Sequence, residues 1–257
     1  MDLQLRGKVA VITGASRGIG RAIAQEFAAQ GMCLVLTARS KDLLEQLAES
    51  LPTECLVYGA DLRDPQAPAG LVTATLDRFG QLDVLVNNAG ATQRGDFLVL
   101  SDADWADGFA LKFFGAMRCC RAAWPWLAAS HGAIINIVGI GGRTASAEFS
   151  IGGSVNSALL NLTKSLADRG VKEGVRVNAI NPGSITTERL SLRIRGYAAQ
   201  HSLDLDQAAQ QMAKNMGIAR FGAPQEIARG AAFLASPLSE YIQGAILDID
   251  GGQTRTL

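Results

Sequence analysis

The sequence predicts a doubly wound α/β domain, a parallel sheet of seven strands with helices on both faces. Three observations predict it. Short, nearly all-apolar runs rich in β-branched residues recur along the 257 residues, as strands buried on both faces of a parallel sheet require. Longer stretches with helical spacing of apolar side chains lie between them, so strand and helix alternate from the N-terminus to about Gly183. The first strand also runs directly into a glycine-rich loop and then an amphipathic helix.

In order, the strands are expected at residues 9–13, 33–39, 55–61, 82–86, 133–138, 176–181 and 245–249. Ile19, Ile23 and Phe27 mark the first helix, and Leu43, Leu44 and Leu47 the second. Residues 184–216 break the rhythm: they are polar, rich in Ala, Gln and Arg, and inserted between a strand and the next helix, where a lid is expected. With no internal repeat, linker or low-complexity tract, residues 1–257 read as a single domain carrying that insertion.

Composition narrows the function. With 48% hydrophobic and 19% charged residues, the chain reads as a soluble globular protein able to bury a sizeable core. Lys plus Arg balances Asp plus Glu at 24 each, which argues against a broad electrostatic footprint for nucleic acid or an anionic membrane. Cys33, Cys55, Cys119 and Cys120 form no C-x-x-C pair and point to a reduced, cytoplasmic chain, with Cys119 and Cys120 as small core residues. No signal-peptide core is expected near the N-terminus, and no apolar run reaches the roughly 18 residues of a membrane-spanning helix. His131 and His201 lack metal-ligand companions. Secreted scaffold, membrane protein and zinc enzyme are therefore set aside.

The strand at 9–13 leads into Gly14-Ala15-Ser16-Arg17-Gly18-Ile19-Gly20. Glycines there allow a tight turn and close approach to a pyrophosphate, and the helix that follows offers free N–H groups and a partial positive charge. Asn87-Asn88-Ala89-Gly90 directly follows the fourth strand, and Asn181-Pro182-Gly183 with Ile185 and Thr187 follows the sixth. Near the C-terminus stand Arg220-Phe-Gly, Pro224-x-Glu226-Ile227-Ala228, Phe233-Leu-Ala-Ser236 and Tyr241-Ile-x-Gly244.

On these motifs, over residues 6–254, the chain resembles the short-chain dehydrogenase/reductase family in its main branch of about 250 residues, with a Rossmann-type fold. The resemblance implies a small-molecule substrate and a nicotinamide dinucleotide held by Gly14, Ser16, Arg17, Gly18, Ile19 and Gly20 of the loop. It adds Asp61 and Leu62 near the adenine and Asn88, Ala89 and Gly90 beside the ribose and nicotinamide. Pro182, Gly183, Ile185 and Thr187 would then lie around the nicotinamide. It also implies pairing of the fourth and fifth family helices into a dimer or tetramer. Phe109, Phe113 and Met117, with Leu159, Leu162 and Leu166, offer more apolar surface than one sheet face needs. NAD-using relatives carry an acidic residue at the end of the second strand. Ala38 stands there, followed by Arg39, so Arg17 and Arg39 favour the 2′-phosphate of NADP over NAD.

The catalytic set of the resemblance is missing. Members carry Ser, Tyr and Lys, plus an Asn on the preceding helix, with Tyr exchanging the substrate proton. Here the serine position is Gly139, the tyrosine Gly152, the lysine Asn156, and the Asn, seven residues after Trp105, is Lys112. No Tyr-x-x-x-Lys pair exists in residues 140–170. A general acid is worth about 10²–10⁴ in rate and an oxyanion donor about 10²–10³, so the ordinary route is lost. One expectation is an atypical oxidoreductase in which Lys112 and Asn156 have exchanged helices, with Ser154 or Ser150 donating to the substrate oxygen and Tyr197 as the nearest phenol. The others are a cofactor-binding sensor or regulatory subunit without turnover, and a non-redox enzyme on the same fold.

Overall fold

The computed structural model describes residues 2–255. The strands are β1 (Val9–Thr13), β2 (Cys33–Ala38), β3 (Cys55–Gly59), β4 (Val84–Asn87), β5 (Ala133–Ile137), β6 (Arg176–Pro182) and β7 (Ile246–Ile249). They form one parallel sheet in the order β3-β2-β1-β4-β5-β6-β7. All five residues of β1 are buried, because each face of the sheet meets its own core. Ala10 and Ile12 point into one core with Phe27 and Ile227, whereas Val9 and Val11 point into the other with Leu71 and Leu127. Thus the alternation of faces survives even though the hydropathy does not alternate.

The covering helices are α1 (Gly18–Ala29), α2 (Lys41–Ser50), α3 (Ala67–Phe79), α4 (Asp102–Phe109), α5 (Ala116–Ala129) and α6 (Ser150–Glu173). The inserted segment is itself helical, as α7 (Glu188–His201) and α8 (Leu205–Asn215), and α9 (Pro224–Ala235) packs beside α1. The polar stretch expected as an insertion between a strand and the next helix thus contains two helices. Asp204 caps α8 reciprocally with Gln207, which satisfies the end of a helix whose composition alone is weakly apolar.

Strand ends differ from expectation by one or two residues. The fourth strand begins at Val84, not at Leu82, and just before it the Asp83 carboxylate accepts from Val9 N at 2.8 Å and Lys8 Nζ at 3.1 Å. The strand order reverses between β1 and β4, and the crevice beyond their C-terminal ends is where an open α/β sheet binds ligands. Among the described residues no helix is long and apolar enough to cross a membrane. Nor is there, among the same residues, a cluster of three or more His, Cys, Asp or Glu that would hold a metal.

Candidate active site

The glycine loop sits at that crevice. Gly14 and Gly18 take positive φ, and α1 starts at Gly18 with no side chain capping its N-terminus. Its first N–H groups are therefore left for an anion. Asn88 braces the loop by donating to the carbonyls of Thr13 and Gly14 at 3.0 and 3.1 Å. Thr13 Oγ1 in turn accepts the backbone N–H of Asn88 and of Ala89, both at 2.9 Å. Arg17 and Arg39 are both exposed. Arg17 pairs with Glu188 at the start of α7 (2.8 Å), tying the loop to that helix. Asp61 accepts from Arg63 at 3.3 Å. An uncapped helix end behind a glycine turn, with two exposed guanidinium groups and no acid closing β2, fits a phosphorylated dinucleotide.

At the end of β5 the backbone departs from an ordinary turn. Gly139 has φ +123°, a region that side-chain-bearing residues rarely adopt. Gly152, in the first turn of α6, lies under the Phe149 ring so closely that a Cβ there would run into it. The same ring also covers Gly141, where a Cβ would come within 2.7 Å. Phe149 thus fills the space from which a side chain at 152 would project.

Lys112 enters this region from a π-helical stretch, Ala110–Gly115, between α4 and α5. Its side chain lies along Gly90, whose Cβ, if present, would sit 3.0 Å from Lys112 Cδ. Nζ donates to the Val138 carbonyl at 2.5 Å. Burial, and secondarily the charge of Arg189, push its pKa down to about 7. Asn156 is buried and donates Nδ2 to the Gly139 carbonyl at 3.4 Å, while its Oδ1 has no partner among the described residues. A buried amide oxygen without a partner is uncommon.

A family model described as enoyl-(acyl carrier protein) reductase matches residues 14–254. The chain belongs to the short-chain dehydrogenase/reductase family. An uncharacterized oxidoreductase of Mycobacterium tuberculosis is 36% identical over 256 residues, covering 98% of this chain and 94% of that protein. L-Sorbose reductase from Gluconobacter frateurii, solved in complex with NADPH and L-sorbose, superposes with a TM-score of 0.95 at 34% identity over all of both chains. YwfH, an NADPH-dependent reductase involved in bacilysin biosynthesis, gives a TM-score of 0.91 at 29% identity, covering 98% of this chain and all of that one.

For a short-chain dehydrogenase/reductase, the expected site residues sort unevenly. Lys112 and Asn156 do meet, on neighbouring carbonyls. Ser154 does not join them: it is exposed on α6. Ser150, one turn earlier, has a buried hydroxyl without a partner among the described residues. Tyr197 lies in the lid, stacked on His201 (ring centroids 4.2 Å apart) with its hydroxyl accepting from Asn215 at 3.3 Å, so its phenol is engaged with α8. Sequence reasoning missed Phe149 as the ring covering Gly152, and it missed Arg94 and Arg189. Arg94 stacks on Phe149 with its guanidinium 4.2 Å from the ring centroid, and Arg189 donates to the Gly90 carbonyl at 3.2 Å. Only the arginine-rich character of 184–216 hinted at the second, and no local signal marked the first.

Proposed function

We propose that this chain is an NADP(H)-dependent oxidoreductase of a small carbonyl or alcohol substrate, with Lys112 exchanging the proton that tyrosine exchanges elsewhere in the family. One observation carries the reading: the Lys112 ammonium is enclosed between Gly90 and Val138, with its pKa pushed down to about 7. A group titrating near the working pH is both a competent acid and a competent base. NADPH, when bound, supplies the hydride. Lys112 Nζ gives its proton to the substrate oxygen during reduction and takes one back from solvent, and in oxidation the proton moves the other way. The hydrogen bond to Val138 fixes the direction of the ammonium. Asn156 holds the turn and leaves its Oδ1 for a donor on the substrate, and Ser150, not Ser154, is the hydroxyl available within the site.

NADP(H) is supported by Arg17, Arg39 and the absence of an acid at position 38, and by the NADPH-bound L-sorbose reductase as a relative of near-identical fold. All four cysteines are free, which supports a reducing, cytoplasmic setting. Stopped-flow mixing of the protein and NADPH with a panel of ketones, imines and enones tests the reading. NADPH consumption with any class, lost in Lys112→Met, supports it.

The second reading is a cofactor-binding sensor. The wall around the site favours it: Gly139 at φ +123° disfavours a side chain there, and the Phe149 ring leaves no room for one at Gly152. Tight NADPH binding without turnover of any substrate class selects the sensor.

A further inference from the structure

We propose that the ligand of this site carries an anionic group, a carboxylate or a phosphate, gripped by Arg94, Arg189 and Arg193 at the mouth of the Lys112 pocket. The proposal rests on the NADP(H)-bound reading above for its ternary complex, but not on turnover.

The three arginines come from different parts of the chain. Arg94 follows the Asn87–Gly90 segment, and its loop is tied to the start of α6 by the Gly95 N–H donating to the Glu148 carbonyl at 3.1 Å. That tie and the Phe149 ring beneath it hold the guanidinium in one place, above the ring that occupies the former tyrosine space. Arg189 reaches from α7 to the Gly90 carbonyl (3.2 Å), the same glycine that Lys112 packs along. Arg193 lies one turn further along α7, and like charges at that spacing oppose helix formation.

The charges feel one another. Burial, followed by the positive charge of Arg193, lowers the pKa of Arg94, with Arg189 adding to it and Glu148 opposing it. Arg189 likewise acts on Lys112. Yet among the described residues none of the three arginines has a carboxylate within ion-pair distance: Glu188 is taken by Arg17, and Glu148 stays out of contact range. Three guanidinium groups and the Lys112 amine therefore gather in one region of a chain whose net charge is zero. Such a concentration focuses the field on an incoming anion. Guanidinium forks match planar carboxylates and phosphates better than ammonium groups do. The cofactor's pyrophosphate belongs to the α1 end of the crevice, so this second cationic set is left for the other ligand.

The test reads binding to the NADP+-saturated protein by calorimetry, using matched pairs of anion and neutral isostere. The pairs are 4-oxopentanoate with its ethyl ester, and dihydroxyacetone phosphate with dihydroxyacetone. At least one anion should bind about tenfold tighter than its partner, the difference shrinking as salt is raised. In the Arg94→Gln/Arg193→Gln double variant that preference should vanish while NADPH affinity stays within about twofold. Equal affinities within both pairs, no binding of either anion, or a preference that survives in the double variant would each overturn the proposal. So would a large loss of NADPH affinity in that variant, which would assign the arginines to the cofactor. Failure of the parent to bind NADPH at all counts against the oxidoreductase reading, and anion preference measured on the cofactor-free protein then decides this proposal separately.

Discussion

Lys112 and Asn156 hold consecutive links of one turn: the ammonium donates to the Val138 carbonyl at 2.5 Å and the amide to the Gly139 carbonyl at 3.4 Å. They come from neighbouring elements, one from the π-helical stretch before α5 and the other from α6. Both side chains therefore hydrogen-bond to the backbone just beyond the end of β5.

Lys112→Met is expected to lower turnover on the best substrate by about 10²–10⁴, the worth of a general acid, with NADPH affinity nearly unchanged by calorimetry. Reduction should slow as pH rises through about 7, where Nζ loses its proton, and that limb should disappear in Lys112→Met. Stability carries the opposite sign. The folded chain releases this proton near 7 and the unfolded chain near 10.5, so the unfolded state binds more protons in between and stability gains from this group as pH rises across that window. Denaturant midpoints of parent and Lys112→Met should converge toward alkaline pH if the variant starts out the more stable. A parent curve with the same slope as the variant's would reject the enclosed ammonium.

NADPH should bind at least about tenfold tighter than NADH, since one charge-assisted contact is worth about 1.5–3 kcal/mol. Arg39→Ala should remove most of that preference. Arg17 is paired with Glu188 across two exposed side chains, a contact worth little. Glu188→Gln frees Arg17 and should tighten NADPH a few-fold at most. Equal affinities for the two nucleotides would show that the guanidinium groups serve another purpose.

Restoring the family's tetrad by Gly139→Ser, Gly152→Tyr, Asn156→Lys and Lys112→Asn should not by itself create a ketone reductase. A side chain at 152 meets the Phe149 ring, and one at 139 meets a strained φ of +123°. Gly152→Tyr alone is expected to cost about 1–3 kcal/mol by overpacking. Adding Phe149→Ala should recover part of that loss, a coupling readable from thermal melts as a double-mutant cycle. Additive effects would mean that the ring moves aside freely.

Assembly is the fourth expectation. Leu159 is buried in the core, whereas Phe109, Phe113, Met117, Leu162 and Leu166 are half-buried and Phe114 beside them is 40% exposed. This apolar surface on the α4–α5 and α6 faces should be covered by a second copy, giving a dimer or tetramer in light scattering at micromolar concentration. A monomer mass would contradict it, and Phe114→Glu should shift an assembled protein toward the monomer.

Strand positions, their parallel arrangement and the dinucleotide loop were legible in the sequence because each depends on local pattern: all-apolar runs for doubly buried strands, glycine spacing for a tight turn ahead of a helix. The absence of any Tyr-x-x-x-Lys pair in residues 140–170 is a property of the sequence itself. Residues 184–216 were recognised as a break in the strand–helix rhythm, but not as α7 and α8, because both helices are polar on average and bury only a few residues each, Leu190 and Ala198 on one and Ala208, Met212 and Ala213 on the other.

The arrangement around Gly139 and Gly152 was decided by tertiary structure alone. No local rule sets Phe149 over Gly152, turns Ser154 outward and Ser150 inward, or routes Lys112 along Gly90 to Val138. Those outcomes follow from how α6, the π-helical stretch and the end of β5 pack together. Burial then acts on charge: the distance from water, not the identity of the residue, brings the Lys112 pKa to about 7. The gathering of Arg94, Arg189 and Arg193 likewise joins positions about a hundred residues apart. Sequence determined which side chains were available, and packing determined which of them share a pocket, because proximity across elements is a property of the folded chain only.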